Sequence, residues 1–238
     1  MTTDSNQDCA ICAELSGVQG TRLSRALTDE TISNATLMAS DHFAVIPSVG
    51  PLVLGHSLVV TREHSNNIIA SLSQSELREL RNICERSMKA LLKGTPGLQL
   101  LCFEHGSRCK LRDSLCSTGH GHLHHLPLPN EDAVAVLNAV GGRGFEVDDF
   151  QDISDALAPL QEYIVAFSLV PERKMVRGMM LDASHVPSQH LRRLVADQLG
   201  IASWDWKVNV NADLLRQTLA LGFEVNKKVD PQTILAAS

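Results

Sequence analysis

The 238-residue chain has no excess of positive charge, no long apolar run and no recognisable leader, and each absence excludes a class of protein. Its formal net charge is -6 at pH 7, which argues against nucleic-acid coats and anionic-membrane binders because both need a basic face. Residues 1–8 are polar and acidic, unlike a secretory signal. No apolar stretch is long enough to span a bilayer. We therefore expect a cytoplasmic protein with no membrane partner and no extended nucleic-acid partner.

The sequence also lacks internal repeats and compositionally simple segments, which excludes solenoid architectures. Hydrophobic residues make up 44% of the chain and charged residues 20%. This composition is typical of a globular protein with a real core, arranged as one large domain or two small ones. Residues 144–158 are acidic and mark the best candidate boundary.

Six cysteines are present, and without a secretory signal they are better read as thiols or metal ligands than as disulfides. Cys9 and Cys12 form a Cys-x-x-Cys pair near the start of the chain. By itself this pair is compatible with a metal site, a thiol redox pair or two unconnected cysteines.

A cluster of histidines is the most informative stretch. His120, His122 and His124 alternate with other residues, so a strand would place all three on one face and His125 on the other. Each imidazole has two nitrogens to satisfy, and neighbouring imidazolium charges repel. The cluster therefore indicates metal binding or phosphate chemistry, against the alternative of a buried histidine pair with a chance neighbour.

Phosphate chemistry needs parts that such a strand can supply. A neutral imidazole nitrogen can attack phosphorus when the other ring nitrogen donates to a fixed acceptor. A neighbouring donor then stabilises the charge that develops on the phosphoryl oxygens. One histidine would attack, and the flanking rings would orient it, donate to the substrate or bind metal.

Local patterns predict the elements around this strand. A hairpin is expected from two β-rich segments, and a helix is expected from the capping-box spacing of Ser73 and Glu76. A buried strand precedes the histidines, and further strands and helices follow them. The expected strands are 43–47, 57–61, 98–103, 163–169 and 175–181, and the expected helices are 73–93, 132–140, 187–199 and 212–221.

The His-x-His-x-His stretch, followed by Pro127, resembles the signature of the histidine-triad superfamily of nucleotide hydrolases and transferases. Residues 41–64 are similar to the family's first block, and residues 103–106 to a bacterial subgroup with a C-terminal extension. Pro187–Arg193 and Trp204–Trp206 look like that extension. His125, in place of an apolar residue, and the small Gly121 depart from the usual pattern.

The resemblance implies an α+β fold: a histidine-triad-like antiparallel sheet with a packed helix, followed by a smaller C-terminal α/β extension. It implies a catalytic domain over residues 1–143, which contains the N-terminal Cys-x-x-Cys, and an extension over residues 144–238. It also implies a homodimer, unless the extension takes the place of the partner subunit.

The same resemblance assigns chemical roles. His122 would form a covalent nucleotidyl intermediate at the α-phosphate of a nucleotide ester, anhydride or phosphoramidate, and His124 would contact the phosphate or the leaving group. Water as the acceptor would make the enzyme a hydrolase, and a second substrate would make it a nucleotidyltransferase. The implied substrate-binding residues are Ser117, Thr118, Gly119 and, for the nucleoside, Ser48.

Relatives in this family also imply a structural zinc ion. Position by position its ligands would be Cys9, Cys12, His64 and His120, which suit the tetrahedral sulfur and nitrogen coordination of zinc. The rival ligands are Cys109 and Cys116, and a zinc-activated water is a third arrangement.

Two other functions share the histidine spacing. One is a nucleotide-binding protein without turnover, in which His122→Asn would change nothing. The other is a metal-dependent hydrolase that uses the histidines as catalytic ligands and a carboxylate such as Glu104 as its base.

Overall fold

The computed structural model describes residues 9–18, 20–27, 36–93, 95–108 and 119–221. The strands in these ranges are β1 Met38–Ala39, β2 Phe43–Pro47, β3 Ser57–Thr61, β4 Leu98–Ser107, β5 His122–Pro129, β6 Arg143–Val147, β7 Glu162–Leu169 and β8 Val176–Asp182. The helices are α1 Ala10–Leu15, α2 Arg22–Ala26, α3 Gln74–Leu91, α4 Asn130–Val140, α5 Phe150–Leu157, α6 His190–Leu199 and α7 Ala212–Ala220. None of these helices is long and apolar enough to cross a membrane.

The eight strands form one sheet in the order β1-β2-β3-β5-β4-β7-β8-β6, and every neighbouring pair is antiparallel. The expected hairpin is β2–β3, which pairs from Phe43 opposite Thr61 to Pro47 opposite Ser57. The predicted α+β fold, an antiparallel sheet with a packed helix, is confirmed.

Helix α3 begins with the capping box that its sequence predicts. The Ser73 hydroxyl accepts from the Glu76 N–H, and the Glu76 carboxylate accepts from the Ser73 N–H at 2.7 Å. Leu77 and Leu80 are fully buried against the sheet, and each side chain stabilises the fold by roughly 1.5–3 kcal/mol through its burial. The helix therefore covers one face of the sheet with its apolar side.

The C-terminal part of the chain extends the same sheet. Strand β7 pairs with β4 from Leu100 opposite Leu169 to Ser107 opposite Glu162. The acidic segment 144–158 contains α5 and all of β6 except its first residue, Arg143, and both elements belong to this layer. The division between residues 143 and 144 stays a prediction. Helices α4 and α6 pack together on the sheet face opposite α3.

Alternation along β4 and β5 determines which side chains reach which face. Phe103 lies opposite His124, and both point to the face covered by α4 and α6. Cys102 lies opposite His125 and points to the α3 face, where the His125 Nδ1 is 3.3 Å from the Ser87 hydroxyl. His125 is therefore a core residue, on the opposite face from His124 as the spacing predicts.

Candidate active site

A cavity opens where the first turns of α6 and the N-terminal helices meet the sheet beside β5. Its wall is mostly apolar. The apolar lining residues include Ile11, Leu23, Ile46, Leu58, Phe103, Leu191 and Trp206. Its polar lining residues include Ser48, His105, His122, His124, Ser188, Gln189, His190 and Arg192. The cavity thus combines an apolar compartment with a group of imidazoles.

His122 is held in one tautomer. Its Nδ1 lies 2.8 Å from the backbone oxygen of His120. Because a carbonyl oxygen only accepts, Nδ1 carries the proton and Nε2 carries the lone pair. His122 is half-buried and lines the cavity. His122 therefore has an unprotonated Nε2 and lies in the wall of the cavity.

His124 is oriented by a second histidine, His56. The Leu52 N–H donates to His56 Nδ1 at 3.1 Å, so His56 carries its proton on Nε2. That Nε2–H donates to His124 Nδ1 at 2.9 Å. His124 must then carry its own proton on Nε2, the remaining nitrogen. The chain of bonds fixes His124 as a hydrogen-bond donor.

Burial keeps this pair neutral. His56 is fully buried and His124 is 8% exposed, and burial lowers the pKa of both rings well below the usual histidine value. Phe103 stacks on His124 with ring centroids 4.4 Å apart. His124 therefore donates from a rigid, uncharged imidazole, 4.9 Å from His122 between ring centroids.

Four ligand atoms meet beside this cavity. The Cys9, Cys12, His64 and His120 ligand atoms all lie within 4.8 Å of one another. His120 Nδ1 is 3.4 Å from the Cys9 sulfur and 3.5 Å from the Cys12 sulfur, and His64 Nδ1 is 3.5 Å from the Cys12 sulfur. Tetrahedral zinc places sulfur and nitrogen ligands about 3.6 Å apart. The four residues implied by the resemblance are thus brought together with suitable spacing.

The environment of His120 also suits a metal ligand. Its Nε2 lies 2.9 Å from the Thr61 carbonyl oxygen, so Nε2 carries the proton and Nδ1, which faces the two sulfurs, is unprotonated. Burial lowers the pKa of His120 to about 4 and raises the pKa of Cys12 to about 12. The neutral imidazole is ready to bind, and a cation would supply the charge that stabilises the thiolate.

The other predicted substrate residues have different outcomes. Ser48 lines the cavity, is 2% exposed and accepts from Arg192 at 3.4 Å. Gly119 is half-buried and does not line the cavity among the described residues. Two further predicted substrate residues, Ser117 and Thr118, lie outside the described residues, and so do the rival zinc ligands Cys109 and Cys116.

Glu104 lies on the wrong face to serve as a base in the cavity. Its carboxylate accepts from the Tyr163 hydroxyl at 2.9 Å and from the Ile68 N–H at 2.6 Å, within the α3 face of the sheet. The hypothesis that made Glu104 the base of a metal-dependent hydrolase is therefore wrong. The adjacent residue, His105, points into the cavity instead.

Gly121 has a steric explanation. A Cβ built on it would lie 2.3 Å from the Asn67 carbonyl carbon, closer than packed atoms approach. The Gly121 N–H also donates to the Ser65 oxygen at 2.5 Å. The departure from the family pattern therefore lets the chain between His120 and His122 pass tightly against residues 65–67.

Sequence reasoning assigned no role to His56, which lies behind His124, or to the cavity residues His105 and Arg192. The pairing of Leu58 with His124 brings the start of β3 beside the triad, and this register would have pointed to His56. Alternation along β4 would have pointed to His105 once Phe103 was placed opposite His124. Nothing local marks Arg192, which comes from α6 by tertiary packing.

No family model matches the sequence, and no curated protein matches it. Among solved structures, a zinc-bound histidine triad family protein from Mycobacterium smegmatis is 17% identical and covers 53% of this chain and 79% of its own, with a TM-score of 0.37. A hypothetical histidine triad nucleotide-binding protein from Sulfolobus tokodaii strain 7 is 22% identical over 45% of this chain and 68% of its own, with a TM-score of 0.32. Yeast Ap4A phosphorylase in complex with Ap4A is 14% identical over 85% of this chain and 81% of its own, with a TM-score of 0.37.

Histidine-triad proteins are among the solved structures to which this chain is similar.

Proposed function

We propose that this protein is a nucleotide hydrolase or nucleotidyltransferase that acts at the α-phosphate through a covalent intermediate on His122. The observation that carries the proposal is the fixed pair of tautomers in the cavity. His122 donates through Nδ1 to the His120 carbonyl and keeps a lone pair on Nε2. His124, held by His56, offers an N–H beside it.

The first step follows from these tautomers. His122 Nε2 attacks the α-phosphorus and forms a P–N bond while the bond from phosphorus to the leaving group breaks. The electron pair of the broken bond goes to the leaving atom. His124 donates a hydrogen bond from Nε2–H to the phosphoryl or leaving oxygen, where negative charge develops. The His120 carbonyl stabilises the positive charge that forms on the His122 ring.

The second step reverses the first with a new acceptor. Water or an acceptor hydroxyl or phosphate attacks phosphorus, the P–N bond breaks, and its electron pair returns to His122 Nε2. The proton of an attacking water or hydroxyl leaves to solvent or to the departing nucleotide. The apolar wall of the cavity limits the access of bulk water, which favours an acceptor that is itself bound.

The apolar compartment suits a nucleoside. Ile46 lies on β2 and Leu58 on β3, which pairs with the triad strand, and Trp206 also lines the cavity. Aromatic and aliphatic side chains bind the faces of a base, and one polar group such as Ser48 can bind its sugar. The lining therefore supports a nucleotide as the substrate.

We further propose that Cys9, Cys12, His64 and His120 hold a structural zinc ion. Two thiolates and two imidazoles in tetrahedral spacing are the donors that zinc prefers. The ion would supply a closed crosslink between α1 and the chain before β5. His120 then acts in catalysis through its backbone oxygen and leaves the substrate to His122 and His124.

Trapping the intermediate tests the proposed function. Full-length protein is mixed with nucleoside phosphoramidates, dinucleoside polyphosphates or sugar nucleotides, quenched rapidly at mildly alkaline pH, and measured by intact-protein mass spectrometry. Wild type should gain the mass of a nucleotidyl group, and His122→Asn should not. The matched control is His185→Asn, because His185 is exposed and is not among the residues that line the cavity. Nucleotide binding without any adduct would instead identify a binding protein.

A further inference from the structure

The start of α6 places two buried polar atoms in the wall of the cavity. Ser188 Oγ and Gln189 Oε1 have no hydrogen-bond partner in the described part of the chain, and both residues line the cavity. Buried polar atoms in folded proteins are almost always hydrogen-bonded. These two atoms therefore indicate a polar ligand group that pairs with them, and the orientation of the Gln189 amide defines its chemistry.

The Gln189 side chain presents only an acceptor to the cavity. Its Nε2 donates to the Asp205 carboxylate at 3.0 Å, and this hydrogen bond lowers the pKa of Asp205 below its usual value. Because an ionised carboxylate only accepts, the amide cannot exchange its oxygen and nitrogen. Oε1 is therefore a fixed acceptor. The ligand group that pairs with it must carry an N–H or O–H, which excludes an unprotonated phosphate oxygen.

The backbone of Gln189 is strained. Its φ is 63°, a left-handed conformation that costs free energy for a residue other than glycine. The Arg193 N–H donates to the Gln189 carbonyl at 3.0 Å, so Gln189 begins the first turn of α6. Residues in such conformations cluster at ligand-binding sites, where the surrounding structure holds them. The strain therefore supports a role for Gln189 in binding a ligand.

Contacts of α6 place Gln189 on the same wall as Ser48. Arg192, three residues after Gln189, donates to the Ser48 hydroxyl at 3.4 Å and to the Gly50 carbonyl at 2.5 Å. A Cβ built on Gly50 would lie 2.9 Å from the Trp206 Cβ, so Trp206 packs tightly against the same loop. All three lining residues, Ser48, Gln189 and Trp206, therefore lie around one corner of the cavity.

This corner suits the base of a nucleotide. The Arg22 guanidinium lies 4.2 Å from the centroid of the Trp206 ring, a cation–π contact that holds the indole in place. Leu23 and Ile46 add apolar surface to the same cavity. Apolar and aromatic side chains bind the faces of a base, and polar atoms bind its edge through hydrogen bonds. An acceptor and a hydroxyl beside an apolar wall fit such an edge.

We propose that Gln189 determines base specificity: its Oε1 accepts from the exocyclic amino group of the base, and the Ser188 hydroxyl donates to the ring nitrogen beside that group. Adenine presents such a donor and acceptor pair on one edge. Hypoxanthine has a carbonyl oxygen in place of the amino group and brings it against Oε1, where two acceptors repel. This inference rests on the proposed function and names the class of base that the nucleotide carries.

Binding of AMP and IMP to the full-length protein tests the inference without turnover. The two ligands differ at the group on C6 and in the protonation of the adjacent ring nitrogen. Calorimetry of the wild type should give a Kd for IMP at least about tenfold above that for AMP. Gln189→Met removes the acceptor and should bring the two values within about threefold by weakening AMP. Gln198→Met is the matched control, because Gln198 is exposed near the other end of α6, and it should keep the wild-type ratio.

A second substitution tests the orientation of the amide by a gain of binding. In Asp205→Asn the new side chain can donate as well as accept, so the Gln189 amide is free to turn and present Nε2 to a carbonyl oxygen. IMP should then bind more tightly, and the ratio should fall to within about threefold while AMP binding stays nearly unchanged. Asp152→Asn is the control for the lost charge, because Asp152 is exposed and is not among the residues that line the cavity.

Four outcomes would overturn the inference. They are no binding of either ligand to the wild type, equal binding of both, an unchanged ratio in Gln189→Met, and an unchanged ratio in Asp205→Asn. The sugar hydroxyls are the other donors of a nucleoside, so 2′-deoxy-AMP is measured as well. A loss for 2′-deoxy-AMP that disappears in Gln189→Met, with AMP and IMP bound equally, would assign Gln189 to the sugar and refute base recognition. Thermal melts of each variant separate loss of folding from loss of recognition.

The nucleotidyl adduct on His122 tests the proposed function separately. Equal binding of AMP and IMP refutes base recognition even when the adduct forms. Absence of the adduct with every substrate refutes the proposed function, and the comparison of AMP with IMP still tests base recognition because it needs no reaction.

Discussion

The hydrogen bond from His56 to His124 gives the sharpest prediction, because two substitutions at one position separate its chemical role from its packing role. Glutamine carries an N–H near the position of the histidine Nε2, whereas the shorter asparagine does not reach it. We expect His56→Gln to keep a donor to His124 Nδ1 and His56→Asn to lose it. His124 would then be free to carry its proton on Nδ1 and to present a lone pair to the substrate.

The magnitude follows from the burial of the pair. The bond is 2.9 Å long, and both rings are buried, so an unmade bond leaves a buried acceptor at a cost of about 1–3 kcal/mol. If that cost appears in the transition state, kcat falls by about 5-fold to 150-fold. His56→Gln should retain most of the activity, within about threefold of wild type.

Rapid-quench measurement of adduct formation checks this with substrates that share a nucleotide and differ in leaving group. A leaving group of high pKa needs the His124 donor most, so the loss in His56→Asn should be larger for it than for an activated leaving group. Asparagine is smaller than histidine and leaves empty space beside His124. Thermal melts of both variants therefore control for a loss of stability that this space causes. Equal losses for good and poor leaving groups, or equal losses in the two variants, would refute the tautomer argument.

Three further predictions concern the metal site, a steric contact and acid stability. Cys12→Ser should lower zinc from about one ion per chain to none in elemental analysis, and retained zinc would contradict the assigned ligands. Gly121→Ala should lower the free energy of unfolding by about 1–3 kcal/mol through overpacking, whereas Gly144→Ala, whose Cβ meets no atom closer than 3.6 Å, is the matched control in the same urea melts. Burial lowers the pKa of His125 to about 3 from 6.5, so the unfolded chain binds more protons between these values and stability falls as the pH drops below about 6.5. At pH 5 the loss from His125 alone is up to about 2 kcal/mol, and His125→Leu should be less acid-sensitive than wild type; equal acid sensitivity would show that His125 titrates normally.

The parts of the fold that local physics determines could be predicted from the sequence. The capping box at Ser73, the apolar spacing of α3 and the β-rich segments of the β2–β3 hairpin all act over a few residues. The two-residue period of the triad correctly separated His124 from His125. These features need no knowledge of distant parts of the chain.

The rest depends on pairings between distant segments. Alternation along a strand says that Glu104 and His105 face opposite sides, but only the register of β4 against β5 shows which one reaches the cavity. Arg192 and Gln189 join the site because α6 packs against α4 and against the loop that joins β2 to β3. That loop lies more than a hundred residues before α6 in the chain. The metal quartet required the family resemblance, since spacing alone left other cysteines as candidates.

His120 has a consequence for how this protein can change over evolution. Its ring faces the cysteine sulfurs while its backbone oxygen holds the proton of the His122 ring. An insertion or deletion between the two histidines would therefore disturb both centres in a single step. The two-residue interval would be constrained twice, by the proposed metal coordination and by the proposed catalysis, so it should tolerate less variation than either centre would require alone.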